Sequence, residues 1–271
     1  MTTPVPVKYP EFIYALDSGV DKALNLQEGF TPSIAYDAFW AAVQPHVYMA
    51  QRDQLEKNPN FRQFLPYMII SRIRAGVKEY LVYKRAKGAG ESRLIGNASI
   101  GIGGHVDAND TVLDSNSVLH FQQVIQMAHT RELFEECRFR ASTETNEEDF
   151  KSLDDLDATQ GIRLASYLAS HTAIHGYLNE YSTQLVKDAL PVGLVHFGYV
   201  MEISLGDQID ATVREEAMEM VGWMTADQLA VSVLPFENWS KLLIENLSNL
   251  RGVPNDAVVE EGQLIADVAE A

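Results

Sequence analysis

The stretch Arg131-Glu132-Leu133-Phe134-Glu135-Glu136 carries three carboxylates close together. A helix through it places Glu132 and Glu136 one turn apart on one face, with Glu135 beside them. Like charges at this spacing cost about 0.2–0.5 kcal/mol per pair, so local helix stability does not explain the cluster. Mg²⁺ prefers carboxylate oxygens and would turn this repulsion into binding. A solvated helix face, with an ion pair between Arg131 and Glu135, is the alternative interpretation.

The sequence before this helix favours the metal site. Residues 98–102 predict a short strand that ends at Gly103 and Gly104. Two glycines let the backbone turn tightly and approach a ligand closely, which can expose a carbonyl oxygen as a further metal ligand. A strand, a glycine turn and an acidic helix therefore follow one another.

Composition limits the classes of function. The chain has 271 residues, 46% hydrophobic and 22% charged, and a net charge of −17. Such an acidic chain is not expected to bind nucleic acid or an anionic membrane, both of which need basic patches. A small phosphorylated substrate is compatible, because a bound metal supplies positive charge locally. The single cysteine, Cys137, and the lack of a signal-like N-terminus or long apolar segment predict a cytoplasmic protein.

The expected organisation has three parts. Residues 1–60 are predicted as an N-terminal helical extension, with a helix near 35–44. Residues 61–250 form the main domain, in which an acidic insertion covers 141–160. An acidic tail covers 251–271.

Within the main domain, strands are mixed with a few helices. Strands are expected around 67–70 and 79–83, joined at Gly76, and helical periodicity runs over 117–139. Further strands are expected near 194–205 and 220–224, with a closing helix over 236–250. This pattern favours an α+β or α/β/α sandwich fold over regular βαβ alternation.

The acidic helix resembles the signature of the Nudix (MutT-like) hydrolase family, G-x5-E-x7-R-E-U-x-E-E-x-G-U, where U is bulky and apolar. Residues 131–139 match its second half except at Arg138, where the family has Gly. Eight residues before Arg131 stands Gln123, where the family has Glu. The first signature glycine resembles Gly104, which lies 27 positions before Arg131 instead of 14, so thirteen residues are extra.

Flanking segments extend this resemblance over residues 61–250, to a subgroup of predicted MutT-family phosphoesterases. The resemblance implies a Nudix-type α/β/α sandwich with a mixed central sheet. It also implies a metal-dependent hydrolase that cleaves a diphosphate linkage in a nucleoside diphosphate derivative. A homodimer is a further expectation, because dimers are common in the family.

The resemblance also implies residue roles. Glu132, Glu135 and Glu136 would bind Mg²⁺ or Mn²⁺ together with the Gly104 carbonyl, while Arg131 would orient a glutamate. The ion would activate water for attack on phosphorus, with a glutamate as base. The candidates for a base from a later loop are Glu215, Glu216 and Glu219.

Basic residues near this region are candidates for contacts with phosphate. His105 follows the two glycines, and a basic cluster includes Lys84, Arg85 and Arg93. A solvated loop is the alternative for that cluster. His171 and His175 could suit zinc, although no third ligand is evident.

Two departures from the signature leave a second function open. Gln123 and Arg138 are compatible with a non-catalytic Nudix-fold module that binds a nucleotide-like ligand. The three retained glutamates favour the enzyme, because a pure binding module has no need of them.

Overall fold

A computed structural model describes residues 10–86, 94–142, 150–152, 158–181, 190–206, 209–214, 218–250 and 253–254. Its strands are β1 (Phe12–Asp17), β2 (Gly29–Pro32), β3 (Val47–Gln51), β4 (Phe61–Arg74), β5 (Val77–Arg85), β6 (Ala98–Ser99), β7 (Gly101–Ile102), β8 (Cys137–Ser142), β9 (Phe150–Ser152), β10 (Thr172–Asn179), β11 (His196–Leu205), β12 (Ile209–Val213), β13 (Met218–Thr225) and β14 (Val253–Pro254). Its helices are α1 (Gly19–Ala23), α2 (Tyr36–Val43), α3 (Arg52–Leu55), α4 (Phe121–Glu136), α5 (Ala158–Ser170), α6 (Ala226–Ala230) and α7 (Asn238–Asn246).

A mixed sheet organises the described residues. Its strand order is β13-β5-β4-β11-β10-β14, and β4 and β11 pair in parallel while the other pairs are antiparallel. The short strands β6 and β7 pair with β5 and β4 respectively, which brings the glycine turn to the middle of the sheet. A separate three-stranded sheet has the order β12-β8-β9.

Helices cover both faces of the large sheet. On one face, α2, α4 and α5 contribute buried side chains to the largest hydrophobic cluster, which includes Phe39, Phe121 and Tyr167. On the other face, α6 and α7 bury Leu229 and Trp239 in a second cluster. This layering confirms the expected α+β fold with a mixed central sheet between helices.

Several local predictions are confirmed. The strands expected around 67–70 and 79–83 are parts of β4 and β5, and their turn holds Ala75 and Gly76 at φ values of 49° and 79°. Positive φ at two successive turn residues suits the right-handed twist of a hairpin, and glycine adopts it at little cost.

The prediction of a helical N-terminal extension is wrong in its secondary structure. The helix expected near 35–44 is present as α2, but the segment also contains β1, β2 and β3. Strand β1 pairs with β4, and β2 pairs with β10, so the segment extends the large sheet. Short strands of this kind are stabilised by partners distant in sequence, which local periodicity does not reveal. The division at residue 60 stays a prediction.

The helical periodicity over 117–139 also overestimates the helix. The structure begins α4 at Phe121 and ends it at Glu136, and Cys137 already has extended backbone angles of −121° and 149°. Arg138 therefore lies in β8, where it pairs with Thr212. A strand at this position explains why the glycine typical of the family signature is not needed here.

Most of the acidic insertion over 141–160 and of the tail over 251–271 lies outside the described residues. Within the insertion, β8 ends, β9 is formed and α5 begins. Among the described residues, no helix is long and apolar enough to cross a membrane.

A polar cluster around the buried Glu202, formed by residues of β4, β5, β10 and β11, predicts an acid-dependent loss of stability. Burial raises the pKa of Glu202, but His175, Lys78 and Ser71 outweigh it and lower this pKa to about 2. The depressed pKa stabilises the folded state above the unfolded pKa of about 4.3, and this contribution, about 3 kcal/mol, is lost as pH falls towards 2. Urea unfolding should show Glu202→Gln less stable than wild type at pH 7, with the difference shrinking below about pH 4.

The matched control for this prediction is Glu245→Gln, because Glu245 is exposed on α7. Its difference from wild type should be small at every pH. A deficit of Glu202→Gln that stays constant from pH 7 to pH 3 would contradict the pKa argument.

Candidate active site

The glycine turn contacts β4 and α4 so closely that neither glycine tolerates a side chain. A Cβ atom on Gly103 would lie 1.9 Å from the Pro66 carbonyl oxygen, and Gly103 has a φ of +149°. A Cβ atom on Gly104 would lie 2.5 Å from both carboxylate oxygens of Glu132. The two glycines thus let the backbone lie directly against a carboxylate of the acidic helix.

Arg131 lies at the centre of the polar network. Its Nε and Nη2 atoms donate to the two carboxylate oxygens of Asp110 at 2.9 and 2.8 Å. Nη1 donates to Glu132 at 2.7 Å and to Glu135 at 3.0 Å, and Nη2 also donates to the His105 carbonyl at 2.9 Å. A guanidinium with a forked contact on one carboxylate fixes the direction of its remaining donors. Arg131 therefore orients two of the predicted glutamates and the turn.

Asp110 was missed by the sequence analysis. It is 4% exposed, and its carboxylate also accepts the backbone N–H of Asp107 at 2.9 Å, which closes a capping box. Asp110 is the sixth residue after Gly104, the spacing that the family signature gives to its first Glu. Counting six residues forward from Gly104 reaches Asp110. Counting eight residues back from Arg131 reaches Gln123 instead, because thirteen extra residues lie between Asp110 and Arg131.

Gln123 is consequently not the partner of Arg131. It lies exposed near the start of α4, eight residues and more than two helical turns from Arg131. The expected match of Gln123 to the first Glu of the signature is wrong, because the thirteen extra residues follow Asp110 instead of preceding it. Asp110, which pairs with Arg131, thus stands where the signature has its first Glu.

The remaining glutamates differ in their surroundings. Glu136 is 9% exposed and its Oε2 accepts the backbone N–H of Gly103 at 3.0 Å. The Glu135 side chain is 54% exposed and contacts Arg131. Both Glu132 and Glu136 thus lie against the glycine turn, while Glu135 borders solvent.

The donor types suit a hard divalent cation, although the carboxylate oxygens of Glu132, Glu135 and Glu136 do not all lie within 4.8 Å of one another, so at least one side chain must move to share an ion. Burial raises the pKa of Glu132 to about 7, opposed by Arg131 and reinforced by Glu135 and Asp110. A cation would favour the ionised form, and the absence of a side chain on Gly104 leaves the Glu132 carboxylate open to the turn. Oxygen ligands of this type suit Mg²⁺ or Mn²⁺.

A cavity of about 230 Å³ adjoins the glycine turn on the face of the sheet covered by α7. Its wall includes Gly103, Arg85, Leu65 and Trp239. Arg85, which the sequence predicts as a phosphate contact, lies in the wall of this cavity. Its Nε donates to Glu237 at 3.3 Å, so part of its positive charge is already balanced. The walls are mostly apolar and can receive an uncharged ring system, but they also carry the carboxylates of Glu180 and Glu237 beside the Arg85 guanidinium.

The other predicted substrate contacts are placed differently. Lys84 is on β5 but does not line this cavity among the described residues, and Arg93 lies outside them. Of the candidates for a base, Glu215 and Glu216 also lie outside the described residues. Glu219 is exposed on β13, opposite Lys84 in the register of the neighbouring strand β5.

His105 contributes its backbone and its ring to different neighbours. Its carbonyl accepts from Arg131, whereas its Nε2 lies 3.2 Å from Nε2 of His196. Burial lowers the pKa of His105 well below its usual value, with further lowering by His196, Arg52 and Arg131. The ring is therefore neutral at pH 7.

Of the other histidines, His171 and His175 do not form the helical pair that zinc would require. His171 follows α5 and stacks on Tyr167, while His175 is on β10 and contacts Glu202 at 2.8 Å. The buried Cys137 has a pKa raised well above its usual value by burial and by Glu136, which argues against a nucleophilic thiolate.

Comparisons with known proteins place this geometry in a structural class. No protein-family model matches the chain. Protein YmaB of Bacillus subtilis (strain 168) is 27% identical over 228 residues, which cover 83% of this chain and 90% of that protein. The crystal structure of Tm1382, a candidate Nudix hydrolase, has a TM-score of 0.60 at 20% identity and covers 88% of this chain and 99% of that one. A Nudix hydrolase from Alicyclobacillus acidocaldarius gives a TM-score of 0.41 at 16% identity, covering 72% and 93%.

The chain has the Nudix fold. The similarity to Tm1382 spans nearly the whole of that structure, and it confirms at the level of the fold the resemblance found in residues 131–139.

Proposed function

We propose that this protein is a Nudix-type pyrophosphohydrolase that cleaves a diphosphate linkage in a nucleoside diphosphate derivative with the help of Mg²⁺ or Mn²⁺. The observation that carries the proposal is the Arg131 network, which holds Glu132 against Gly104 and orients Glu135 at the edge of the solvent. Because like charges on one helix destabilise it, a network that gathers and orients them points to a cationic ligand.

Three glutamates would hold the ion, namely Glu132, Glu135 and Glu136, with the Gly104 carbonyl as a further ligand. When bound, a divalent ion lowers the pKa of water and neutralises charge that develops on the diphosphate. Arg131 keeps Glu132 directed at the turn, and Glu136 is fixed by the Gly103 N–H. A glutamate of this set, or Glu219 from β13, would accept the proton from the attacking water.

The cavity beside the turn supports the substrate class. Arg85 would contact a phosphate, and the apolar surfaces of Leu65 and Trp239 would hold the nucleoside or the group attached to it. His105, Lys84 and Arg93 stay predicted phosphate contacts from the sequence. A small phosphorylated ligand fits the acidic chain only with a cation present, which is consistent with a metal-dependent reaction.

A non-catalytic binding module with the same fold is the alternative. It is favoured by one observation: each of the three glutamates is already held by Arg131 or by Gly103 N–H. Carboxylates with these partners could serve to shape a ligand site without supporting turnover.

The two functions are separated by one experiment on the full chain. A panel of nucleoside diphosphate derivatives is incubated with Mg²⁺ or Mn²⁺, and product release and calorimetric binding are measured in parallel. The hydrolase predicts that at least one member is cleaved and that cleavage stops when the metal is chelated. Tight binding with no product from any member would support the binding module instead.

A further inference from the structure

Three side chains outside the α4 carboxylates meet beside the glycine turn. Glu56 directly follows α3, His105 follows Gly104, and His196 begins β11. Their donor atoms all lie within 4.8 Å of one another, and no other His, Cys, Asp or Glu trio in the described ranges does so. The two imidazole Nε2 atoms are 3.2 Å apart, and Glu56 Oε1 is 4.0 Å from His196 Nε2.

These separations suit a shared metal ion. Two ligands at about 2.0–2.1 Å from a tetrahedral Zn²⁺ are about 3.3 Å apart, close to the distance between the two imidazole nitrogens. The Glu56 carboxylate would need to move by less than 1 Å to reach the same spacing from His196. A set of two histidines and one glutamate leaves a fourth position for water.

The orientation of His196 is already fixed by a second partner. Its Nδ1 lies 2.6 Å from the Val192 carbonyl oxygen, which can only accept. Nδ1 therefore carries a proton, and in the neutral form of the ring the lone pair of Nε2 points towards His105 and Glu56. A backbone carbonyl behind the non-ligating nitrogen is the usual support of a metal-bound histidine.

Gln63 supplies an independent observation. It is completely buried, and neither its amide oxygen nor its amide nitrogen has a hydrogen-bond partner in the part of the chain that the structure describes. Gln63 on β4 pairs in register with His196 on the neighbouring parallel strand β11. Both side chains therefore project from the same face of the sheet. A buried amide of this kind calls for a polar partner such as ion-bound water.

The local charge is compatible with a cation. Arg52 lies 3.9 Å from Glu56, but it also donates to Glu11 at 3.1 Å. The Arg52 guanidinium is thus opposed by two carboxylates, Glu56 and Glu11.

We propose that Glu56, His105 and His196 form a second metal site, which takes Zn²⁺ and is separate from the Mg²⁺ or Mn²⁺ site at α4. Imidazole nitrogens favour a borderline ion such as Zn²⁺ over Mg²⁺, whereas the all-oxygen set on α4 has the opposite preference. An ion at this site ties α3 and β11 to the turn that contacts Glu132. The site does not depend on the proposed hydrolase activity.

Zinc binding to the chelator-treated full chain tests this site. Zn²⁺ is titrated in a large excess of Mg²⁺, with affinity and stoichiometry as the readouts, and Co²⁺ is used as a spectroscopic probe of nitrogen ligation. Wild type is expected to bind one Zn²⁺ per chain. His196→Ala and Glu56→Gln should weaken the affinity about 100-fold or more, on the scale of the loss of metal-site contacts. Circular dichroism checks folding, and His105→Gln provides a milder variant if His196→Ala does not fold.

Two matched controls identify the site that is occupied. His120→Ala changes an exposed histidine that contacts Asp114, and it should leave zinc binding unchanged. Glu136→Gln should also leave it unchanged, because this residue belongs to the α4 set. Loss of zinc in Glu136→Gln with retention in His196→Ala would overturn the proposal, as would the absence of stoichiometric zinc binding in wild type. In the latter case the trio is a hydrogen-bonded cluster only.

Discussion

Replacing Glu136 by glutamine is expected to lower the turnover of a nucleoside diphosphate derivative about 10²–10³-fold, the scale seen when one charge-stabilising group is lost from an active site. Glutamine has nearly the same size, and its amide oxygen can still accept the Gly103 N–H that now bonds to Glu136. The fold should therefore survive, while the negative charge available to a divalent ion falls by one. Initial rates at saturating Mg²⁺ measure the effect.

Glu245→Gln is the matched control, because it makes the same chemical change on an exposed face of α7. Its rates should equal those of wild type, and both variants should unfold within about 1 kcal/mol of wild type. A Glu136→Gln protein that retains more than a tenth of the wild-type rate would rule out an essential role for this carboxylate.

Asp110→Ala is expected to lower the free energy of unfolding by about 2 kcal/mol, because it removes a buried carboxylate that bonds to Arg131, while Arg131 keeps Glu132 and Glu135 as partners. Asp110 is 4% exposed and accepts two hydrogen bonds from Arg131 and one from the Asp107 N–H. Without Asp110, the Arg131 side chain no longer has a fixed direction. Glu132 and Glu135, which it orients, are then misplaced, so the hydrolysis rate should fall as well. Urea unfolding and initial rates measure the two effects.

Gln123→Ala distinguishes this account from the simple alignment of the signature. If Gln123 took the place of the first Glu of the signature, its removal would leave the Arg131 side chain without its partner and lower the activity. Since Gln123 is exposed at the other end of α4, we expect changes below about 0.5 kcal/mol and full activity. Equal effects of Asp110→Ala and Gln123→Ala would contradict the arrangement described here.

Local signals were sufficient to predict the framework of the site. The periodicity of α4, the paired strands β4 and β5, and the glycine turn all follow from residues that are neighbours in sequence. Each is governed by short-range rules of backbone conformation and side-chain spacing. The position of the helix end was less predictable, because Cys137 leaves the helix to pair with β12.

The remainder depends on contacts between residues distant in sequence. Strand β2 is formed because its residues pair with β10, more than a hundred residues later. In the same way, His105 meets His196 and Glu56 only through the packing of β11 and α3 around the turn. Asp110 is a different case, because its spacing from Gly104 can be read from the sequence. It is overlooked only when the signature is aligned backwards from Arg131.

The central claim is that water attacks a phosphorus atom at the site formed by α4 and the glycine turn. Its most direct test is to incubate the full chain with Mg²⁺ and the substrate panel in water enriched in ¹⁸O, and to analyse the products by mass spectrometry. We expect one ¹⁸O atom in a phosphate group of one product, and about 10²–10³-fold slower release of that product from Glu136→Gln under the same conditions. Label on a carbon-bound hydroxyl, or recovery of every bound ligand intact, would contradict it.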